Sequence, residues 1–214
     1  MKKLVKVKNI FFYGKNYKIN KLNNDKFEFK FKNKKVVIDR PKLNGFHQVE
    51  NASVALAFTE IMLQNNLKIN FKKLNNAIKS TSWPGRLEML NYYDKKIILD
   101  GAHNIDGAKK LSEYLKSIKI KPVVLFGMLN NKKITYFLKI ISSQINNILA
   151  IKIPNEKNSF LTKEIAEVCL SLSINCNEIK NINIALKNIR ASKEKFFLVT
   201  GSLYLVGKVR EKFL

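Results

Sequence analysis

Short apolar segments alternate with helix-like segments from Trp83 to the end of the chain, and this alternation is the strongest constraint on the fold. The segments with strand character are 96–100, 122–127, 147–153 and 195–200, and those with helix character are 103–118, 131–143, 161–172, 181–191 and 203–213. Strands that are apolar throughout and are separated by helices are typical of a parallel sheet covered on both faces. The sequence therefore predicts an α/β domain with a doubly wound, mostly parallel sheet.

The first eighty or so residues follow a different pattern. Residues 1–44 contain short runs with strand character, in which Phe27, Phe29 and Phe31 fall on one face at period two. This alternation predicts antiparallel hairpin material. Two helices are predicted after it, over residues 46–65 and 71–80. The expected units of the chain are residues 1–81 and residues 82–214.

Lysine carries almost all of the positive charge. The chain has 40 Lys and Arg against 16 Asp and Glu, a formal net charge of +24, but only four of these residues are arginines. They are Arg40, Arg86, Arg190 and Arg210. Because DNA-reading proteins rely on arginine for bidentate base contacts, the charge is weak support for a nucleic-acid partner. A basic nucleic-acid-binding protein stays open as one function class.

Cysteine usage and hydropathy bear on the compartment. Cys169 and Cys176 form neither a metal motif nor a disulfide framework, and we interpret them as idle thiols in a reducing cytosol. No apolar run is close in length to a membrane-spanning helix, which needs ~18 residues. The opening Met1-Lys-Lys-Leu resembles a signal peptide, but Lys6 and Lys8 interrupt any apolar core. These observations predict a cytoplasmic protein with no membrane partner.

Candidate functional residues follow the predicted strands, at the ends where ligands bind in doubly wound sheets. Asp100 ends a strand and could accept ribose hydroxyls, and His103 opens a helix whose N-terminus favours phosphate or carboxylate. Gly201 and Ser202 open the last helix and suit an anionic group. The structural alternatives are a helix N-cap beside a solvent-facing histidine and a serine N-cap.

Two other candidates lie outside the strand ends. Arg86 is held by a Pro-Gly turn and could bridge phosphate oxygens, although a surface arginine that closes a turn is the alternative. Gln48 and Asn51 are three residues apart on the first helix and share a face, so an amide there could pair with an adenine edge. Helix capping and interhelix hydrogen bonding are the alternatives for these amides.

Five short motifs follow one another along the chain. They are Gly45-Phe-His-Gln-Val-Glu-Asn-Ala52, Trp83-Pro-Gly-Arg-Leu-Glu88, Leu99-Asp-Gly-Ala-His-Asn104, Gly127-Met-Leu129 and Thr200-Gly-Ser-Leu-Tyr204. In this order they resemble folylpolyglutamate synthase / dihydrofolate synthase, a family of ATP-dependent amide-forming ligases in the Mur ligase superfamily. The resemblance implies that residues 82–214 are a Mur-ligase C-terminal, Rossmann-like domain and that residues 1–81 are a remnant of the central domain.

The resemblance also implies a mechanism and a set of roles. ATP phosphorylates a carboxylate of dihydropteroate or a folate, and the amine of L-glutamate attacks the acyl phosphate and expels phosphate. The residues expected at ATP are Asn51 at the adenine, Arg86 at the phosphates and Asp100 at the ribose. Those expected at glutamate are His103, Ser202 and Tyr204. Arg86 and His103 are the expected catalytic residues, and the implied cofactors are ATP and Mg²⁺.

Three departures from the family pattern bear on activity. Ile105 follows Asn104 where the family has proline, which suits a first helical turn. Both acidic neighbours of Lys132 in the family pattern are replaced, by Asn131 and Lys133, and this removes the support for a role of Lys132. No Gly-x-x-x-x-Gly-Lys-Ser/Thr phosphate loop (P-loop) occurs in the sequence, although such a loop and its metal supply most of the electrostatic stabilisation in phosphoryl transfer.

The missing P-loop leaves three function classes open. We expect the carboxyl-terminal part of a ligase that is inactive without the missing P-loop-bearing half, in which the magnesium ligands would lie. The chain could be a fragment, half of a split gene or a remnant, and a separate P-loop-bearing half is a partner only in the second case. The alternatives are a non-catalytic nucleotide- or glutamate-binding module and the basic nucleic-acid-binding protein. An upstream reading frame with a P-loop would favour the ligase, and its absence would favour the module.

Overall fold

A computed structural model describes residues 10–64 and 68–213. The chain divides into two compact units, Met1–Ser82 and Trp83–Leu214, and each has its own hydrophobic core. Residues 1–9 of the predicted hairpin region and residue 65 of the predicted first helix lie outside the described residues.

The first unit is a three-stranded antiparallel sheet with two helices packed on it. The strands are β1 (Tyr17–Lys21), β2 (Lys26–Phe31) and β3 (Lys34–Asp39), and they pair in this order. The helices are α1 (His47–Gln64) and α2 (Phe71–Ser80). The predicted antiparallel hairpins and both predicted helices are therefore confirmed within the described residues.

The phenylalanine face of β2 forms the centre of this first core. Phe27, Phe29 and Phe31 are all buried, as predicted from their period of two. They pack with Val49 of α1 and Ile78 of α2, among other residues of one apolar cluster. Burial of three aromatic side chains on one strand face is the main force that joins the small sheet to its helices.

The second unit is an α/β domain built on one sheet. Its strands are β4 (Glu88–Tyr92), β5 (Lys95–Leu99), β6 (Val123–Phe126), β7 (Ile148–Ile151), β8 (Cys176–Ile179) and β9 (Phe196–Thr200). The six strands lie in the order β4-β5-β9-β6-β7-β8. Only β4 runs antiparallel to its neighbour β5, and all other neighbouring pairs are parallel. The predicted mostly parallel, doubly wound sheet is confirmed.

Helices cover both faces of this sheet. They are α3 (Ile105–Ile118), α4 (Ile134–Ile141), α5 (Thr162–Ser171), α6 (Ile182–Ala191) and α7 (Leu203–Arg210). Alternate residues of each central strand enter different cores: Ile98 packs with α3, α4 and α5, whereas Ile97 and Leu99 pack with α6 and α7. None of the helices within residues 10–64 and 68–213 combines the length and apolar character needed to cross a bilayer.

Two strands of this sheet are absent from the sequence-based prediction. Both β4 and β8 lie at the edges of the sheet and are largely half-buried or exposed. Their sequences, Glu88–Tyr92 and Cys176–Ile179, contain polar residues and no continuous apolar run. Such edge strands form because a neighbouring strand offers unpaired backbone groups, so local hydrophobicity does not reveal them.

Candidate functional site

Four segments meet at the carboxyl edge of the parallel strands in the second unit. The backbone N–H of Gly101 after β5 donates to the Gly85 carbonyl at 2.8 Å. The N–H of Gly201 after β9 donates to the Ala102 carbonyl at 3.1 Å. The N–H of Gly127, at the end of β6, donates to a carbonyl of β9 at 3.4 Å. These backbone bonds join the segments that carry Arg86, Asp100, His103 and Ser202.

Glycine is required where these segments approach most closely. Gly201 has a φ of +99°, and a Cβ atom there would lie 2.5 Å from the Gly127 carbonyl oxygen. A Cβ atom on Gly101 would lie 2.1 Å from Cδ2 of Leu203 on α7. The neighbour at Gly201 is backbone, so a side chain there would push the ends of β6 and β9 apart, whereas the neighbour at Gly101 is the flexible end of a leucine side chain.

Asp100 is fixed at the end of β5 by hydrogen bonds to both carboxylate oxygens. Oδ1 accepts from the Ala102 N–H at 3.0 Å and Oδ2 accepts from the Leu87 N–H at 3.1 Å. Only 7% of Asp100 is exposed. Burial raises its pKa, and the two backbone hydrogen bonds and the charges of Arg86 and His103 oppose that rise. The carboxylate therefore organises the loops, and each oxygen retains a further lone pair for a ligand.

Arg86 lies on a tight turn just before β4. Its N–H donates to the Trp83 carbonyl at 3.3 Å. The following residue, Leu87, is buried and has a left-handed backbone conformation with a φ of 49°. The turn is held from both sides, since Asp100 binds the Leu87 N–H and Glu88 Oε2 accepts from the Gly85 N–H at 2.8 Å. Arg86 itself is half-buried, and its charge acts on Asp100.

Sequence reasoning missed the contribution of Glu88 and Arg210 to this turn. Arg210, on the last turn of α7, donates from Nε to both carboxylate oxygens of Glu88, at 3.0 and 3.1 Å. Glu88 thus connects α7 to the Arg86 turn. The available signal was the scarcity of arginine, because Arg210 is one of only four in the chain.

His103 has a defined ring orientation at the start of α3. Its Nδ1 lies 2.8 Å from the Gly101 carbonyl oxygen, which can only accept, so Nδ1 carries the proton. In the neutral ring Nε2 is therefore a hydrogen-bond acceptor. The N-cap of α3 is Asn104, whose Oδ1 accepts from the Gly107 N–H at 2.8 Å, as the capping alternative predicted.

Ser202 and Tyr204 lie at the start of α7. Ser202 is the N-cap of this helix: its Oγ accepts from the Tyr204 N–H at 3.1 Å, and only 3% of the residue is exposed. The hydroxyl hydrogen of Ser202 can still donate to an anion. Tyr204 is 57% exposed. The serine cap is thus confirmed, and a contact of either residue with glutamate stays a prediction.

Asn51 belongs to the first unit, on the exposed side of α1. Its Nδ2 donates to Gln48 Oε1 at 3.0 Å, and Gln48 Nε2 lies 3.1 Å from His47 Nε2. The predicted shared face of Gln48 and Asn51 is confirmed. Because the buried Gln48 accepts a hydrogen bond from Nδ2 of Asn51, the orientation of the Asn51 amide is restricted. Its Oδ1 remains an acceptor.

Lys132 lies in the loop after β6, where its backbone N–H donates to the Leu129 carbonyl at 3.1 Å. Within residues 10–64 and 68–213, no group of three or more His, Cys, Asp and Glu side chains could hold a metal ion.

Comparisons with known proteins identify relatives of this chain. The family model of the dihydrofolate synthetase C-terminal domain matches residues 86–212. The dihydrofolate synthase/folylpolyglutamate synthase of Bacillus subtilis (strain 168) is 26% identical over 191 residues, covering 88% of this chain and 44% of the relative. The chain thus spans about half the length of the curated relatives that it matches.

Solved structures are similar in fold. E. coli FolC in complex with DHPP and ADP has a TM-score of 0.79 at 20% identity, over 94% of this chain and 46% of FolC. A bifunctional folylpolyglutamate synthase/dihydrofolate synthase with Mn, AMPPNP and L-glutamate bound has a TM-score of 0.78 at 18% identity, over 94% of this chain and 47% of that enzyme. Because residues 86–212 match the model of the family's C-terminal domain, the chain belongs to the dihydrofolate synthetase family.

Proposed function

We propose that this chain is the carboxyl-terminal part of an ATP-dependent ligase that adds L-glutamate to dihydropteroate or to folate polyglutamates. The observation that carries the proposal is the convergence of Arg86, Asp100 and His103 on one sheet edge, within the segment that matches the family. Similar solved structures contain DHPP and ADP, or Mn, AMPPNP and L-glutamate, as bound molecules, which supports these substrate classes here.

The phosphoryl-transfer half of the reaction would use Arg86 and Asp100. The γ-phosphoryl group of ATP passes to the carboxylate of the pteroate or folate, giving an acyl phosphate and ADP. Arg86, on its fixed turn, would contact phosphate oxygens and stabilise the charge that spreads over them in the transition state. Asp100, with its oxygens directed by two backbone hydrogen bonds, would accept a ribose hydroxyl. Asn51 would pair with the adenine edge.

The amide-forming half would use the N-termini of α3 and α7. The glutamate amine must lose a proton before it attacks the acyl carbon, and phosphate then leaves from the tetrahedral intermediate. His103 Nε2 is the acceptor side of the ring and would take that proton. Ser202 and Tyr204 would hold the carboxylates of glutamate beside the first turn of α7.

A second half is required by this proposal. The sequence contains no P-loop motif, and the described residues offer no metal cluster, so we assign the proposed Mg²⁺ ligands to a P-loop-bearing half outside these 214 residues. When bound, the metal would neutralise phosphate charge. We therefore expect no ATP-dependent glutamate addition by the 214-residue chain alone. The same missing motif favours the second candidate, a non-catalytic nucleotide- or glutamate-binding module.

A chimera tests the choice between ligase and module. The amino-terminal half of the B. subtilis relative would be joined to this chain, and ATP-dependent incorporation of glutamate into dihydropteroate and tetrahydrofolate measured. We expect activity in the chimera that Arg86→Ala removes and that neither half shows alone. A folded chimera that binds AMPPNP or glutamate but forms no amide would support the binding module instead. Full turnover by the isolated chain would contradict the requirement for a second half.

A further inference from the structure

Helix α1 of the first unit is apolar on two opposite sides. Its buried side carries Val49, Leu56 and Ala57, which belong to the core of this unit. Its other side carries Val54 and Phe58, which are 56% and 61% exposed. A surface helix of a globular domain has one apolar and one polar side, whereas a helix that is apolar all round is covered on both. The exposed side of α1 therefore has the composition of a buried surface.

The exposed residues of α1 form one continuous stripe. Asn51, Val54, Ala55 and Phe58 are all exposed and follow the spacing i, i+3, i+4, i+7, so they lie on one side of the helix. We call these four residues the α1 stripe. Single exposed apolar side chains are ordinary on protein surfaces, but adjacent ones are typical of an interaction surface.

Helix α1 carries no positive charge, although the rest of the chain is rich in lysine. No lysine or arginine occurs in residues 43–67, and this is the longest such run in a chain with 40 of these residues. Each of the helices α2 to α7 carries at least one of them. The acidic Glu60 of α1 is paired with Lys34 at 2.7 Å. Depletion of charged residues is typical of the centre of a protein interface.

The length of the relatives and the place of Asn51 indicate what covers the stripe. This chain covers only 44% of the B. subtilis relative and 46% of E. coli FolC, and the family match is to a C-terminal domain. The uncovered part of these relatives therefore lies mainly before the matched region. Asn51, the proposed adenine contact, lies at one end of the stripe, so a P-loop-bearing half that holds the phosphates of the same nucleotide must approach this side of α1. With 18 residues, α1 is about 27 Å long, which is comparable to the diameter of a small domain.

We propose that the α1 stripe packs into an apolar groove on the P-loop-bearing half of the ligase. This inference rests on the proposed function for the identity of the partner. The groove would be uncharged where it faces Val54 and Phe58, because a charge buried there would have no ion-pair partner. These two side chains would be the anchors, in the i, i+4 arrangement by which a groove binds an amphipathic helix. Asn51 would lie at the rim of the contact, beside the nucleotide.

Alkylation of introduced cysteines tests this contact without any measurement of ligase activity. Phe58→Cys reports on the stripe, and Tyr136→Cys on α4 is the control, because Tyr136 has a matched exposure of 60%. In the isolated chain, iodoacetamide should alkylate the two sites at similar rates, measured by mass spectrometry of the labelled peptides. In a chimera with the amino-terminal half of the B. subtilis relative, Phe58→Cys should react at least about tenfold more slowly, whereas Tyr136→Cys should keep its rate.

Phe58→Lys gives a second, thermodynamic test. In the isolated chain the melting temperature should equal that of the wild type, because the side chain is exposed. In the chimera it should fall by about 5 °C or more, because the lysine would be buried without a partner. Tyr136→Lys is the matched control and should leave the melting temperature unchanged in both proteins.

Other outcomes would overturn the proposal. Slow alkylation of Phe58→Cys in the isolated chain would show that the chain itself, or a second copy of it, covers the stripe. An unchanged alkylation rate in a folded chimera that forms the amide would contradict this contact and leave the proposed ligase function standing. A protected stripe in a chimera that forms no amide would support the contact and contradict the ligase function. Should the B. subtilis half give no folded chimera, the amino-terminal half of E. coli FolC takes its place.

Discussion

The Asp100 carboxylate accepts a hydrogen bond from the Leu87 N–H at 3.1 Å and thereby joins the end of β5 to the turn that carries Arg86. A residue proposed to bind ribose is thus also a structural link. The two roles predict two different measurable effects of a substitution at Asp100.

Asp100→Asn should weaken both the fold and the use of ATP. An amide presents only one oxygen to two backbone N–H groups, so one buried hydrogen bond is lost at a cost of about 1–3 kcal/mol in the free energy of unfolding. In the chimera, the KM for ATP should rise more than kcat falls, because a ribose contact acts mainly on binding. Thermal unfolding and steady-state kinetics measure the two effects. Asp106→Asn, at an exposed carboxylate of α3, is the control and should change neither.

Arg86→Ala should slow the chemical step of the chimera. A charged contact that strengthens as phosphoryl charge develops contributes about 2–4 kcal/mol to transition-state stabilisation. Arg86→Lys should recover only part of this loss, since it keeps the charge without the bidentate geometry. Single-turnover kinetics measure the step, and Lys132→Ala should behave as the wild type. A folded Arg86→Ala chimera with unchanged turnover would show that Arg86 is only a surface arginine that closes a turn.

Two glycines near α7 should respond oppositely to alanine. Gly201→Ala places a Cβ atom 2.5 Å from the Gly127 carbonyl at a φ of +99°, so we expect a loss of more than about 1 kcal/mol in the free energy of unfolding. Gly207 lies within α7 with nothing within 4 Å of an added Cβ atom, and Gly207→Ala should stabilise the chain by about 0.5–1 kcal/mol. Denaturant unfolding of the two variants checks this contrast. Equal effects would contradict the close approach of β6 and β9.

Asp94 should contribute stability that acid removes. A hydrogen bond from Lys195, and a weaker contribution from a hydrogen bond with Lys95, lower its pKa from 3.8 to about 2. A lowered pKa means that the native state holds the carboxylate form more strongly than the unfolded chain does. The stabilisation is therefore complete above pH 3.8 and is lost as the pH falls through about 2. Melting temperatures of the wild type and Asp94→Asn should differ at neutral pH and converge in this window. A constant difference would contradict the ion pairs.

The excess of lysine should produce only weak nucleic-acid binding. With a net charge of +24 carried almost wholly by lysine, we expect DNA binding that is independent of sequence and that fades steeply with salt, because displaced counterions drive it. Titrations of two unrelated duplexes at low and physiological ionic strength test this. Tight binding to only one of them at physiological ionic strength would favour the nucleic-acid-binding class.

The sequence by itself determined the features that depend on local burial. Continuous apolar runs predicted the four central strands of the second sheet, and period-two phenylalanines predicted the buried face of β2. The helices were predicted to within a few residues, as in α2 over Phe71–Ser80. In each case the signal is a repeat along the chain that matches the geometry of one element, so neighbouring residues alone are sufficient to reveal it.

Only the tertiary structure decided the features that join distant parts of the chain. The edge strands β4 and β8 exist because β5 and β7 offer them partners. Arg210 forms an ion pair with Glu88, which is 122 positions away in sequence. Both carboxylate oxygens of Asp100 accept hydrogen bonds from backbone N–H groups, and the spacing of the motifs does not predict this geometry. Such contacts form only when folding brings separate segments together, so the local periodicity of the sequence does not predict them.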